Sequence, residues 1–387
     1  MRQAARGTRW LGIVSLVVVL VGGVLQAQQS APVGQQPAVP PWSAEEVQLW
    51  DQTRTKALAY LAAKGQAEDG SFSKEAGPAV TALCAYAMLR HGRTTADPAV
   101  AKALQYLEGF IQPDGGIYAP GTYYQNYETA LTLLCFQAAD SVKYREVIRK
   151  ADSFLKRIQW DESEQIEPSD FRYGGAGYGR SARPDLSNTS FLIEALRAAG
   201  NPAEDEAIQR ALVFVSRCQN LESPFNTTPF AAKNPDGGFY YTPAAGGQSQ
   251  AGTTETGGLR SYASMTYAGL KSMIYAGVGP DDPRVKAAFE WARKHYDLTT
   301  NPGMGSAGLY YYYHTFAKAL DAMGVGILVD ASGERHDWRK ELLQELARRQ
   351  RPDGSWVNEN PRWLEGDANL VTAYALLALA YCRPPNP

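Results

Sequence analysis

Apolar residues recur at helical spacing in twelve stretches of this chain, and the stretches alternate between two kinds. Residues 45–64, 98–112, 142–159, 204–219, 283–296 and 338–349 mix charge with one apolar stripe, the pattern of a helix with one face in water. Between them lie stretches with few charges and many Ala and Leu, such as AVTALCAYAML, YETALTLLCF and LVTAYALLAL. Helices of that composition are buried nearly all round. Each of the six apolar stretches carries a threonine at one matching place: Thr81, Thr129, Thr189, Thr266, Thr315 and Thr372.

A turn rich in Gly and Asp joins the two kinds. The clearest are Glu68-Asp69-Gly70-Ser71-Phe72, Pro113-Asp114-Gly115-Gly116, Pro235-Asp236-Gly237-Gly238 and Pro352-Asp353-Gly354-Ser355-Trp356. Arg172-Tyr173-Gly174-Gly175 and Pro302-Gly303-Met304-Gly305 are diverged versions. Asp bonds to backbone two residues on, and Gly takes the positive φ that closes the turn. Six such units predict an all-α fold, an (α/α)6 toroid of six helical hairpins, with the charged helices outside and the apolar ones inside. A unit that cannot bury its own apolar face must stack on neighbours. An open helical solenoid is the alternative that the spacing leaves.

Two insertions interrupt the repeat, at residues 160–186 and 220–262. Long loops inside a compact repeat serve as lids or binding loops, here including a route to a protein partner. A disordered surface insert is the other reading.

The ends of the chain and its charge narrow the setting. Arg2, Arg6 and Arg9 precede an apolar run at residues 11–25, with Ala27 as a cleavage site, so residues 1–27 read as a signal peptide. That run is shorter than the roughly 20 residues of a membrane helix. The expected location is therefore periplasmic or secreted, with a membrane anchor as the alternative for an uncleaved signal. Residues 28–41 are a Gln/Pro-rich linker, and the folded body spans residues 42–387, beginning at a helix capped by Ser43 with Glu46. The net charge is −2 and no basic run occurs, which gives no footprint for nucleic acid. Cys84, Cys135, Cys218 and Cys382 lie far apart without zinc-module spacing, and buried free thiols are expected over disulfides.

The turns resemble the prenyltransferase and squalene-cyclase repeat. The best matches to the cyclases' Gln–Trp motif run from Ala103 through Gln112-Pro113-Asp114-Gly115-Gly116 and from Leu346 through Gln350-Arg351-Pro352-Asp353-Gly354-Ser355-Trp356. The resemblance implies the toroid for about residues 42–382. It implies activity less narrowly, because related toroids include protein prenyltransferase β subunits, thioester domains and polysaccharide lyases. No Cys-Gly-Glu-Gln thioester motif is present in this sequence.

Two functional motifs carry over with departures. Squalene–hopene-type cyclases place Pro-Asp-x-Asp-Asp-Thr at an inner helix, with the central Asp as proton donor. The matching run is Pro184-Asp185-Leu186-Ser187-Asn188-Thr189, which keeps the first Asp and replaces the donor by Ser187. Neither Ser187 nor Asn188 has the acidity that alkene protonation needs. Prenyltransferase β subunits use a Tyr-His-Thr run to supply a zinc-binding His, similar to Tyr313-His314-Thr315 here. Their anionic partners align with Tyr262 and Ser264, so no metal or other cofactor is expected.

Both motifs imply that the residues one and two places before the repeat threonine face a central cavity. That register selects Glu128, Asn188, Met265 and His314, with Tyr127, Ser187, Ser264 and Tyr313 one place earlier, and Tyr312 from the four-tyrosine stretch beside them. Glu128, His314 and Asp185 are the candidates for proton chemistry, set against a simpler role in capping inner helices. The leading expectation is a terpenoid cyclase/prenyltransferase-like protein that holds an apolar small molecule or lipid of isoprenoid type, possessing or lacking catalysis. The alternatives are a non-catalytic scaffold that binds a partner and an exported polysaccharide-acting enzyme.

Overall fold

The computed structural model describes residues 39–180 and 182–384. The targeting segment expected at 1–27 and most of the linker lie outside these residues. Twelve helices appear in strict alternation. The outer ones are α1 (Ala44–Tyr60), α3 (Pro98–Glu108), α5 (Arg145–Arg157), α7 (Glu206–Arg217), α9 (Pro283–Lys294) and α11 (Trp338–Arg349). The inner ones are α2 (Pro78–Arg90), α4 (Gln125–Asp140), α6 (Leu186–Ala198), α8 (Ala263–Tyr275), α10 (Leu309–Ala322) and α12 (Ala368–Tyr381). The one sheet among the described residues is a hairpin of β1 (Leu328–Val329) and β2 (Arg335–His336).

Each inner helix packs on the next, and α12 packs on α2, so the ring is closed and the open solenoid is excluded. Inner helices are buried on nearly every face; α12 is buried from Leu370 to Leu379 without a break. Outer helices bury one stripe, as in α5, where Ile148, Ala151, Phe154 and Leu155 point inward. Ser43 and Glu46 form the expected capping box of α1. All four cysteines are free and buried.

The repeated residues have a shared physical purpose. In five units the threonine hydroxyl accepts a backbone N–H from the turn: Phe72 to Thr81 (2.9 Å), Ile117 to Thr129 (3.0 Å), Ala176 to Thr189 (3.0 Å), Phe239 to Thr266 (3.1 Å) and Trp356 to Thr372 (3.2 Å). In four of these units a glutamine ties the turn to the following outer helix. Gln219 Nε2 donates to Gly237 O and to Arg284 O in α9, and Gln350 Nε2 donates to Gly354 O and, across the seam, to Thr53 O in α1. Gly354 has φ +92°, and a Cβ there would stand 2.3 Å from Lys56 O in α1. Only a glycine lets the turn lie this close to the neighbouring backbone. Trp356 then fills the space beneath, fully buried, with its indole N–H donated to Leu346 O at 2.8 Å.

Candidate functional site: an aromatic cavity at one mouth of the ring

The N-terminal ends of the inner helices converge on a cavity of about 590 Å³. Positive helix-dipole ends surround it, which favours carboxylates at its edge. Its floor is a belt of four aromatic rings. Tyr127 meets Phe191 edge-on at 5.4 Å, Phe191 meets Tyr311 at 6.2 Å, and Tyr311 meets Tyr374 edge-on at 5.8 Å. The belt closes where the Tyr127 and Tyr374 hydroxyls lie 3.1 Å apart. Burial pushes the Tyr127 phenol up to about 12, so it stays neutral. Edge-to-face packing of this kind fixes ring orientation and turns π faces toward the enclosed space.

Both insertions contribute wall. Tyr178 from the first and Tyr241, Gln250 and Tyr262 from the second line the cavity, so neither insert is a mere surface appendage. The rim includes Trp363 and Leu364, two non-glycine residues at positive φ (56° and 66°). Arg362 ties this segment to Gln250 at 2.6 Å, joining the last repeat to the second insertion across the mouth.

Glu128 lies at the cavity wall, 2 % exposed. Its Oε2 accepts the Ala119 N–H at 2.8 Å and its Oε1 accepts the Thr122 hydroxyl at 3.3 Å. Gly77 makes room for it: a Cβ at Gly77 would stand 2.7 Å from Glu128 Oε1. Burial raises its pKa to about 7, against the lowering effect of the Ala119 and Thr122 bonds. A second buried carboxylate, Glu365, also lines the cavity. It accepts the Tyr311 N–H at 2.8 Å and the Asn358 side-chain amide at 2.6 Å, so it caps α10 from a different repeat.

The residues expected at the cavity divide. Tyr127, Glu128, Ser187, Ser264 and Met265 line it. Asp185 and Asn188 lie just behind the wall. Asp185 caps α6 by accepting the Asn188 N–H at 2.9 Å, and it accepts the Asn188 side-chain amide at 2.8 Å. Burial raises Asp185 to about 6, opposed by its Asn188 bonds and by Tyr241, which is its link to the cavity. Tyr312 and Tyr313 do not line the cavity: they are buried in the packing around α10 and donate to Asp297 O (2.7 Å) and Leu298 O (2.6 Å). His314 is also buried, against Tyr374 at 5.7 Å, and burial, then Lys271 and Arg90, hold it down at about 3. Among the described residues no hydrogen bond or ion pair joins Glu128 to His314, so the suggested pair does not form.

Tyr311 lines the cavity in place of its three successors, and its hydroxyl lies 3.0 Å from Ser187 Oγ. The reason is local. Among the described residues Thr315 accepts no turn N–H; it donates to Tyr311 O and Tyr312 O within its own helix. Without the clamp that holds the other five units, counting back from Thr315 misplaces the cavity face. Phe191 and Tyr374 were missed, although each lies two places after its threonine, one turn further along the face that was read. Glu365 had no such signal, because it belongs to a loop outside the repeat.

Ser264 Oγ accepts the Asn301 side-chain amide at 3.2 Å. The positions that would complete a zinc centre at His314 remain Tyr262 and Ser264, which do not fit one.

The squalene-hopene cyclase C-terminal domain family matches residues 50–242. The apo type II terpene cyclase MstE from Scytonema superposes with a TM-score of 0.51 at 14% identity, covering 87% of this chain and 99% of that one. A glycosidase variant superposes with a TM-score of 0.51 at 12% identity, and a second, in complex with glucose, with 0.50 at 11%; each covers 88% of this chain and 99% of its own. At these identities the solved structures speak to the fold alone. None of the curated proteins matches the sequence significantly. The closed ring of helical hairpins and the shared turn chemistry agree with the cyclase-domain match over residues 50–242, and together they support a prenyltransferase/squalene-cyclase-like superfamily of α/α toroids.

Proposed function

We propose that this protein holds an apolar, isoprenoid-type ligand in the central cavity, with Glu128 as the group that carries a proton to it. The observation that carries the reading is the closed belt of Tyr127, Phe191, Tyr311 and Tyr374 around a cavity of ligand size. Neutral aromatic faces lining a cavity bind hydrocarbon and stabilise developing positive charge. Ser187 stands where the related cyclases have their donor, so the usual alkene protonation is not supported. Glu128 with a pKa near 7 suits a basic oxygen on the ligand better than a bare double bond. Residues 1–27 fit a protein that meets such a ligand after export; N-terminal sequencing of the mature protein tests this.

The first experiment is organic extraction and mass spectrometry of the purified protein beside an unrelated exported control. A specifically retained polyisoprenoid or similar lipid supports the reading, and its turnover is then compared between the parent and Glu128→Gln. An extract indistinguishable from the control counts against it.

A second reading, glycoside hydrolysis, rests on two buried carboxylates, Glu128 and Glu365, that share one cavity. It is weaker because Glu365 is held at 2.8 and 2.6 Å by the Tyr311 N–H and the Asn358 amide, more tightly than Glu128, whose Oε1 keeps only a 3.3 Å contact with Thr122. Loss of aryl-glycoside cleavage in both Glu128→Gln and Glu365→Gln would favour it over the lipid reading.

A further inference from the structure

Away from the cavity, the β1–β2 hairpin gathers Asp330, Glu334 and His336 so that one oxygen of each carboxylate and one imidazole nitrogen all lie within 4.8 Å of one another. The hairpin register pairs Leu328 with His336, which brings the two ends of the turn together. Asp330 Oδ1 organises that turn, accepting the Ser332 N–H, the Ser332 hydroxyl and the Glu334 N–H, each at 2.8 Å. Its Oδ2 is left facing His336.

The histidine is held from behind. Nδ1 lies 3.1 Å from both oxygens of Glu341, and the ring stacks on Tyr296 at 4.0 Å. Tyr296 in turn donates to Glu341 Oε2 at 2.7 Å, fixing the carboxylate. A carboxylate that receives Nδ1–H sets the tautomer with a lone pair on Nε2. That Nε2 is buried and has no hydrogen-bond partner. It stands 3.6 Å from Asp330 Oδ2, beyond hydrogen-bond range.

Charge sharpens the point. Asp330, Glu334 and Glu341 face one imidazole, and even a protonated ring leaves negative charge uncompensated. Arg293 approaches, but it donates to Val329 O and Asp330 O and pairs with Glu290. A lone pair aimed between two carboxylates is repulsive unless a proton or a metal cation stands among them. Two oxygens and one imidazole around a zinc ion, at bonds of about 2.0–2.2 Å, would be roughly 3.4 Å apart. The Asp330–His336 separation is close to that, and a carboxylate oxygen of the exposed Glu334 lies within 4.8 Å of both other ligand atoms.

We propose that Asp330, Glu334 and His336 form a binding site for one divalent cation of the zinc type, with Glu341 and Tyr296 as the groups that orient the histidine. The site lies in the segment between α10 and α11, and its role is to close the β1–β2 hairpin, which Glu341 joins to α11. It is independent of whatever fills the cavity.

The test is isothermal titration of the untagged protein with zinc chloride, with magnesium and calcium chloride as controls. Expected is one-to-one zinc binding at micromolar Kd or tighter, abolished in His336→Ala and in Asp330→Asn. Glu341→Gln is expected to bind about 10–100-fold more weakly while keeping its helical circular dichroism. Cobalt substitution is expected to give visible absorption of a low-symmetry four-coordinate centre in the parent and none in His336→Ala. Absence of zinc binding, or binding unchanged in both His336→Ala and Asp330→Asn, overturns the proposal. If either variant is less stable, the cobalt spectrum of folded Glu341→Gln decides: identical affinity to the parent also counts against it.

Discussion

Lys271 Nζ stands 2.8 Å from Glu194 Oε2, deep within the ring, and the other oxygen of the same carboxylate receives Lys318. All three side chains are buried. One carboxylate therefore serves two amines from α8 and α10. Burial drives both lysines down, Lys271 to about 7, so the cluster resists carrying both positive charges. Removing the carboxylate leaves two amines without a partner. Glu194→Ala is expected to cost about 3–5 kcal/mol. Lys318→Met, which removes the surplus amine and keeps apolar volume, is expected to be neutral or stabilising. Urea denaturation of both variants checks the contrast.

The raised pKa of Glu128 gives stability a specific pH dependence. The folded carboxyl titrates at about 7 against an unfolded value of 4.5, so folding takes up a proton between those values. This group's contribution is fully present below pH 4.5 and is lost as pH rises through 7. The loss amounts to roughly 3 kcal/mol above that window. Glu128→Gln removes the titration, so the stability of the variant relative to the parent is expected to rise between pH 4.5 and 7. Melting curves across that range measure it. If Glu128 acts as the acid, activity of the parent falls above pH 7 as well.

Tyr311 joins both halves of the aromatic belt. Tyr311→Ala is expected to destabilise the fold by about 3–5 kcal/mol and to release retained lipid, because it opens a gap next to Phe191 and Tyr374. Tyr311→Phe keeps the ring and loses only the hydroxyl contact with Ser187, so lipid retention is expected to survive. Mass spectrometry of extracts from the two variants separates packing from hydrogen bonding.

Gly354→Ala sets a side chain against Lys56 O at a positive φ. The cost is expected to be at least about 2 kcal/mol, from backbone strain together with the clash. Gly333, at a similar φ in the exposed hairpin turn, has nothing within 4 Å of its missing Cβ. Gly333→Ala isolates the strain component, and the difference in thermal unfolding between the two variants reports the contact alone.

Most of the architecture was legible because one set of bonds is used again and again. A glutamine, a turn glycine and a threonine hydroxyl recur in the same chain order, so finding them locates both helices of a hairpin. The same regularity located Tyr127, Glu128, Ser187, Ser264 and Met265 at the cavity. It failed at α10, where Thr315 bonds within its own helix and Tyr312, Tyr313 and His314 turn into the packing. It was silent on Glu365 and Trp363, whose loop follows no period. The hairpin cluster was equally hidden, since Asp330 and Glu341 meet His336 only after β1 and β2 pair.

The bond from Gln350 to Thr53 and the close approach of Gly354 to the Lys56 backbone make the sixth unit and the first ordinary neighbours. Chain order and spatial order are then separate properties: every hairpin has a neighbour on each side, and none is a terminus that frays. A stacked linear array can lose its ends one by one, whereas this ring must break somewhere before any unit can leave. Its unfolding should accordingly be all-or-none for a body of this size, and the polypeptide should tolerate new ends cut into an exposed outer loop once the old ones are joined.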